Sequence, residues 1–298
     1  MNTFDGFIAH VKNIVSRHLH RGACAHLRIC SPDEVLSGKM LRTRLAARLC
    51  TAFSADRESE IAHACAAIEL IHTASLFHDD VVDNALMRRG KPTLWQTLGP
   101  NAAILTGDIL LCEALLTLVE SGNAALLQPF SELVREVTVS ETEQELKLRG
   151  NACDAETCIR VARGKTGPLF AFVGFACAEG DMRLGTVLRE VGYRLGTAYQ
   201  LADDLLDEQG DELTVGKTLG SDRLRKKFTL AQTDHDPRPS INCKISDLCG
   251  SSLNLLREWP DHYQGLKTYI ELDLRVLTQS PRPPNSYAAL AVEGCRQA

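Results

Sequence analysis

Two stretches of this sequence concentrate carboxylates at one spacing. In "LFHDDVVDNALMRRGKPT" they are Asp79, Asp80 and Asp83, and "YQLADDLLDEQGDELTVGKTLGSD" repeats the pattern with Asp203, Asp204 and Asp207. Residues four apart on a helix leave the same face, so Asp79 pairs with Asp83 and Asp203 with Asp207. Upstream of each cluster the chain is apolar ("AAIELIHTASLF", "VGYRLGTAYQLA"). Carboxylates ending a buried helix are unfavourable unless cations compensate them. One such cluster is a common solvated helix end; two with the same D-D-x-x-D spacing, each followed by a glycine-containing basic loop, are not. Oxygen-only ligands suit magnesium, or manganese, and magnesium shares its shell with waters and phosphate oxygens. Arg88, Arg89 and Lys91 follow the first cluster, and Lys217, Lys226 and Lys227 the second. The opposed charges predict a metal–diphosphate site in two halves.

The elements that must position these residues read as helices. Apolar residues at three- and four-residue spacing predict helices over 4–20, 39–53, 58–84, 101–121, 125–150, 155–179, 181–208, 245–258 and 261–279. Turn residues punctuate them at "CSPDE", "RRGKP", "LGPN", "ESGN", "EQGDE" and "DHDPRPS". Alternating strand patterns are nearly absent, and no repeat or low-complexity tract marks a boundary. The expectation is one all-α domain over residues 1–298, with "AQTDHDPRPSINCK" as an irregular loop.

Composition narrows the function class. The chain has 298 residues, 44% hydrophobic and 24% charged, with a net charge of −5. That balance argues against nucleic acid as a partner and makes any basic chemistry local. The eleven cysteines are scattered without a C-x-x-C pair, which predicts free thiols in a reducing compartment. The start "MNTFDGFIAHVKNIVSRHLH" has helical periodicity and no secretory core, and "GPLFAFVGFACA" falls short of a membrane span. A soluble, cytoplasmic protein without a transmembrane segment is expected.

Five ordered motifs carry a resemblance over residues 37–229: "SGKMLRTR", "IELIHTASLFHDDVVDNALMRRGKPT", "TGDILL", "GKTGPLF" and the second aspartate stretch. Together they resemble the trans-prenyltransferases of the polyprenyl synthetase family. The resemblance implies an all-α bundle whose aspartate clusters face each other across a deep central cavity, in a homodimer or, alternatively, a heteromer. It implies head-to-tail condensation of isopentenyl diphosphate with an allylic diphosphate. By motif, Asp79 and Asp83 would hold two magnesium ions and Asp203 a third, supported by Asp80, Asp204 and Asp207. Arg88, Lys165, Lys217 and Lys227 would grip the allylic diphosphate, with Thr166 and Gln200 lining its site. Lys39, Arg42, His72 and Arg89 would bind isopentenyl diphosphate. His78 abuts the carboxylates and could support them. Ala74 and Ser75, one turn before Asp79, are small, which in this family accompanies products of twenty carbons or more.

Some positions depart from the family pattern. Ser37 stands where a glycine is usual and Thr43 where a proline is frequent. After "KKFTL" the expected proline and long apolar helix are missing, leaving the C-terminal third divergent. Three rivals remain open at this stage: a non-catalytic partner subunit of a prenyl diphosphate synthase, a terpene cyclase on the same fold, and an HD-type phosphohydrolase. The complete set of charged motif residues disfavours the first. An isopentenyl diphosphate site has no use in the second, and the second aspartate motif none in the third.

Overall fold

The computed structural model describes residues 3–21, 26–27, 31–50, 55–209, 227–232 and 238–274. Among them the chain is helical apart from one short hairpin. Helix α1 spans Phe4–Leu19; the Thr3 side chain caps it by accepting the Gly6 N–H at 3.2 Å. Two short helices follow, α2 at Pro32–Val35 and α3 at Leu41–Leu49. Helix α4, Ala55–Val82, is buried on every side from Ile61 to Leu70, as a helix apolar all round must be. Strands β1 (Met87–Arg88) and β2 (Lys91–Pro92) pair antiparallel, followed by α5 (Leu94–Leu98) and α6 (Pro100–Glu120). Helix α7, Leu127–Glu143, runs into a π-helical turn at Gln144–Leu148.

Helices α8 (Ala155–Ala176) and α9 (Met182–Gln209) pack along their lengths. They approach so closely that a Cβ on Gly196 would lie 2.6 Å from the Gly167 Cα, so only glycine fits there. Helices α10 (Arg238–Leu255) and α11 (Pro260–Thr268) follow, and a second π-helical turn covers Tyr269–Leu274. One apolar cluster runs from Phe7 through α4, α8 and α9 to Leu274, and a smaller one joins Cys158, Leu201, Leu205, Leu230 and Ile241.

The sequence periodicity locates the long helices well, with one correction. The segment expected to be irregular up to Lys244 is helical from Arg238 onward. Its proline, Pro239, stands in the first turn, where a missing N–H removes no helical bond. All eight cysteines among the described residues are free thiols. Helix α6 is long and apolar enough to cross a membrane by composition alone, a property the sequence reading did not foresee. One of its faces packs on α4, while Leu105, Leu116 and Val119 are exposed on the other.

Candidate active site

The first aspartate cluster forms as helix α4 ends. The Asp83 N–H still closes the helix on the Asp79 carbonyl at 2.8 Å, and Asn84, in the left-handed conformation (φ 50°), stops it. The hairpin that follows turns on Arg89 and Gly90, both with positive φ, which matches the twist of a two-residue turn. It parts two consecutive arginines. Arg88 folds back onto buried Asp80, with Nε 2.8 Å from Oδ1, whereas Arg89 donates to the Ser37 hydroxyl at 2.6 Å. His78 turns away from the carboxylates toward the Ile104 carbonyl (3.0 Å) and Asp108 (3.4 Å), both on α6.

The second cluster lies on the last turns of α9, with Asp204 and Asp207 buried and Asp203 half-buried. Gln200 donates to Asp204 at 2.7 Å and accepts from Thr166 at 2.6 Å, tying α9 to α8. Two lysines then connect the clusters. Lys227 Nζ, beyond the second motif, is 2.8 Å from Asp83 Oδ1 in the first, both side chains about nine-tenths buried. Lys165 on α8 bonds Gln144 at 2.8 Å and Glu141 at 3.1 Å. Burial alone would lower the Lys165 ammonium pKa, but Glu141, Asp79 and Asp204 outweigh it and raise it. Burial, reinforced by Glu141 and Asp83, pushes the Asp79 carboxyl up to about 7 against the pull of Lys165 and Lys227.

Beside Lys165 and Asp204 lies a pocket of about 30 Å³, lined chiefly by Gln144, Cys158, Lys165, Gln200, Asp204 and Thr229. That holds about one or two waters. Among the described residues no three carboxylates, histidines or thiols converge to hold an ion alone. The oxygen-only donors still fit magnesium, which completes its shell with water and phosphate oxygens.

A second constellation lies toward α3. His72 carries a strongly depressed pKa, set by burial and then by Arg42, Arg89 and Arg88. It is a neutral ring among guanidiniums. Arg42 lies over the Phe170 ring at 5.1 Å, and its Nε is buried without a partner. Glu69, buried in α4, accepts from the Thr43 hydroxyl at 2.6 Å and balances Arg42 and Arg89 electrostatically. Lys39 is exposed, just beyond the Gly38 that lies against the Arg89 guanidinium. Glu69, Glu141 and Gln144 were missed by sequence reasoning. Only Glu69 left a signal, as the lone acid in an apolar helical run. Lys217 lies outside the described residues.

The polyprenyl synthetase family matches this sequence over residues 30–234. The chain belongs to that family. Among its relatives, the all-trans-nonaprenyl-diphosphate synthase (geranyl-diphosphate specific) of Rhodobacter capsulatus is 36% identical over 58% of this chain and 55% of the relative. The (2E,6E)-farnesyl diphosphate synthase of Mycobacterium bovis is 33% identical over 77% of this chain and 64% of its own. This polyprenyl synthetase family member thus spans less than two thirds of either. A polyprenyl synthase from Caulobacter crescentus, solved with calcium and isoprenyl diphosphate, superposes with a TM-score of 0.76 at 25% identity, over 89% of this chain and 93% of that one. The isoprenoid synthase fold follows from that match. The relatives' names span fifteen- to forty-five-carbon products. In this member of the family Ala74 is buried in the core, and half-buried Ser75 spends its hydroxyl on the His72 carbonyl at 2.8 Å.

Proposed function

We propose that this chain is a magnesium-dependent trans-prenyltransferase that joins isopentenyl diphosphate to an allylic diphosphate, giving an all-trans product of twenty carbons or more. One observation carries the reading: Lys227 bonds across to Asp83, and Lys165 answers both Asp79 and Asp204, so the two acidic helix ends serve one site. Asp79 and Asp83 would hold two magnesium ions and Asp203 a third, with Asp80, Asp204 and Asp207 behind them. Bound there, magnesium would supply charge neutralisation for the departing diphosphate.

The chain's own cations do the rest. Lys165, Lys227 and Arg88, released from Glu141, Asp83 and Asp80, would turn to the allylic diphosphate, with Thr166 and Gln200 beside it. Lysine charge placed where the carbon–oxygen bond breaks stabilises the transition state more than the bound substrate. Arg42, His72, Arg89 and Lys39 would hold isopentenyl diphosphate so that its double bond faces the allylic carbon, and guanidinium forks suit phosphate oxygens. A neutral His72 can donate to phosphate without adding charge. The calcium and isoprenyl diphosphate of the Caulobacter crescentus structure support such a site. The exposed apolar face of α6 supports a homodimer, which light scattering on the purified protein tests.

Incubation with magnesium, an allylic diphosphate and labelled isopentenyl diphosphate tests the activity. Longer diphosphates are expected, and chromatography after dephosphorylation reads their length. Products stopping at fifteen carbons would overturn the length; hydrocarbons or alcohols alone would indicate a cyclase. No product with either would leave a non-catalytic subunit.

A further inference from the structure

We propose that the C-terminal turn Tyr269–Leu274 is a positioning element for Arg42, and so sets how tightly the chain holds isopentenyl diphosphate; this rests on the function argued above. Helix α3, which carries Arg42, has nine residues. Helices shorter than about 12 residues are marginal on their own. Its N-cap residue Met40 is left-handed (φ 49°) and makes no capping bond through its side chain. Contacts from elsewhere must therefore fix its direction.

Those contacts come from helix α1 and from the segment 265–273, far from α3 in sequence. Arg44 and Arg48 stand four apart on one face of α3 and both reach Asp273 in the turn. Arg44 Nε is 2.6 Å from Oδ1 and Arg48 Nε 2.8 Å from Oδ2, and the Asp273 side chain has no exposed surface. The Phe4 ring lies against the same two guanidiniums, at 4.9 and 3.9 Å. On α11, Gly265 meets the Arg48 carbonyl so closely that a Cβ would overlap it, so helix backbone rests on helix end. Arg42 lies roughly 200° round α3 from Arg44, since each residue turns the helix by about 100°. Asp273 grips one side of a short helix whose other side presents Arg42.

Tyr269, one turn before Asp273, completes the link. Its ring is fully buried, and Tyr269 and Tyr199 are electrostatic neighbours of Arg42, which lies over Phe170. Loss of the Asp273 grip would let α3 roll and carry the guanidinium away from His72. The plain alternative is a buried ion pair that only secures the C-terminus; it would lower stability without favouring one substrate.

Calorimetric titration of the full chain separates the two, using isopentenyl diphosphate and an unreactive allylic diphosphate analogue as probes. Asp273→Asn is expected to weaken isopentenyl diphosphate binding by about tenfold, the lower end of what one hydrogen bond to a charged group is worth, with the allylic probe unmoved. Asp273→Glu should restore most of the loss. Arg44→Gln, a milder change that leaves Arg48 on Asp273, should weaken binding less in the same direction; it carries the test if Asp273→Asn does not fold. Leu110→Ala, a core cavity in α6, should lower Tm and leave both affinities alone. Loss of Tm in Asp273→Asn or Arg44→Gln with both affinities unchanged, or moving together, overturns the positioning role. A wild-type chain that binds no isopentenyl diphosphate overturns the proposed function itself, and this inference with it.

Discussion

The two ends of the site solve opposite electrostatic problems. Around the aspartate clusters three cations among the described residues are engaged: Arg88 on Asp80, Lys227 on Asp83, Lys165 on Glu141. Around Arg42 the positive charge is concentrated. Three guanidiniums surround a neutral His72, Glu69 is the buried carboxylate among them, and Arg42 Nε has no acceptor. Under the proposed function, the guanidinium end is a receptor for an anion. On the same reading, the ion pairs of the acidic end must open before a diphosphate can enter, which makes it the closed end. Substitutions at the receptor should therefore act on affinity, and substitutions at the closed end on turnover.

The largest effect tests the closed end. Asp79→Asn and Asp203→Asn should each lower kcat by roughly 10²–10⁴, the range for losing a group that stabilises developing charge. Helical circular dichroism should be unchanged, because neither substitution alters packing volume. Near-normal turnover of both at low magnesium would refute the two-cluster site.

Next comes the division of substrates. Arg42→Ala and His72→Ala should raise KM for isopentenyl diphosphate by about 10–100-fold, in line with removal of a charged hydrogen bond. Lys165→Ala should act on the allylic substrate instead. Lys217→Ala tests the same assignment for a residue outside the described segments. A reversed pattern in steady-state kinetics would exchange the two pockets.

What the sequence reveals of this architecture follows from the range of each interaction. Helix α4 and its aspartates are legible because a long apolar run without turn residues ends in carboxylates spaced one helical turn apart. The parting of Arg88 from Arg89 is not, since it needs the Arg89-Gly90 turn and the partners Asp80 and Ser37. Glu141 and Gln144 sit in the polar run "SETEQELKLRG", where nothing marks them as facing Lys165 some twenty residues on. Periodicity marks Asp273 only as part of the helix expected over 261–279, and its partners lie 229 and 225 positions away. Local periodicity finds the helices, and tertiary charge pairing lies beyond it.

A smaller effect comes from pH. The native Asp79 carboxyl, near 7, lies above its ordinary value of 3.8, so between those values the native state binds more protons than the unfolded chain. Its stabilising contribution is complete below about pH 4 and is lost as pH rises through 7. His72 works the other way: its depressed pKa contributes above 6.5 and is lost below it. Removing the first group leaves the second. Without magnesium, Asp79→Asn should gain stability over wild type between pH 5 and 8 by about 1–3 kcal/mol. Denaturant titrations at both pH values read the difference, and parallel curves would mean that Asp79 is not held protonated.

The smallest effect belongs to one of two buried hydroxyls at the guanidinium end. Thr43 donates to Glu69 at 2.6 Å, a bond to a buried carboxylate, whereas the Tyr269 hydroxyl is buried without a partner. Thr43→Val keeps the shape and removes the bond, leaving Glu69 one donor short. It should cost about 1.5–3 kcal/mol, the range for hydrogen bonds to charged groups. Tyr269→Phe removes a group whose burial is uncompensated, and it preserves the buried ring. Stability should change by less than about 0.5 kcal/mol or improve, because no bond is lost. Thermal unfolding of both variants makes the comparison. A destabilised Tyr269→Phe would show that the phenol has an acceptor, and weaker isopentenyl diphosphate binding in the same variant would place that acceptor on the substrate. An unchanged Tyr269→Phe beside a weakened Thr43→Val leaves the ring as what Tyr269 contributes and the Glu69 bond as what holds the guanidinium end together.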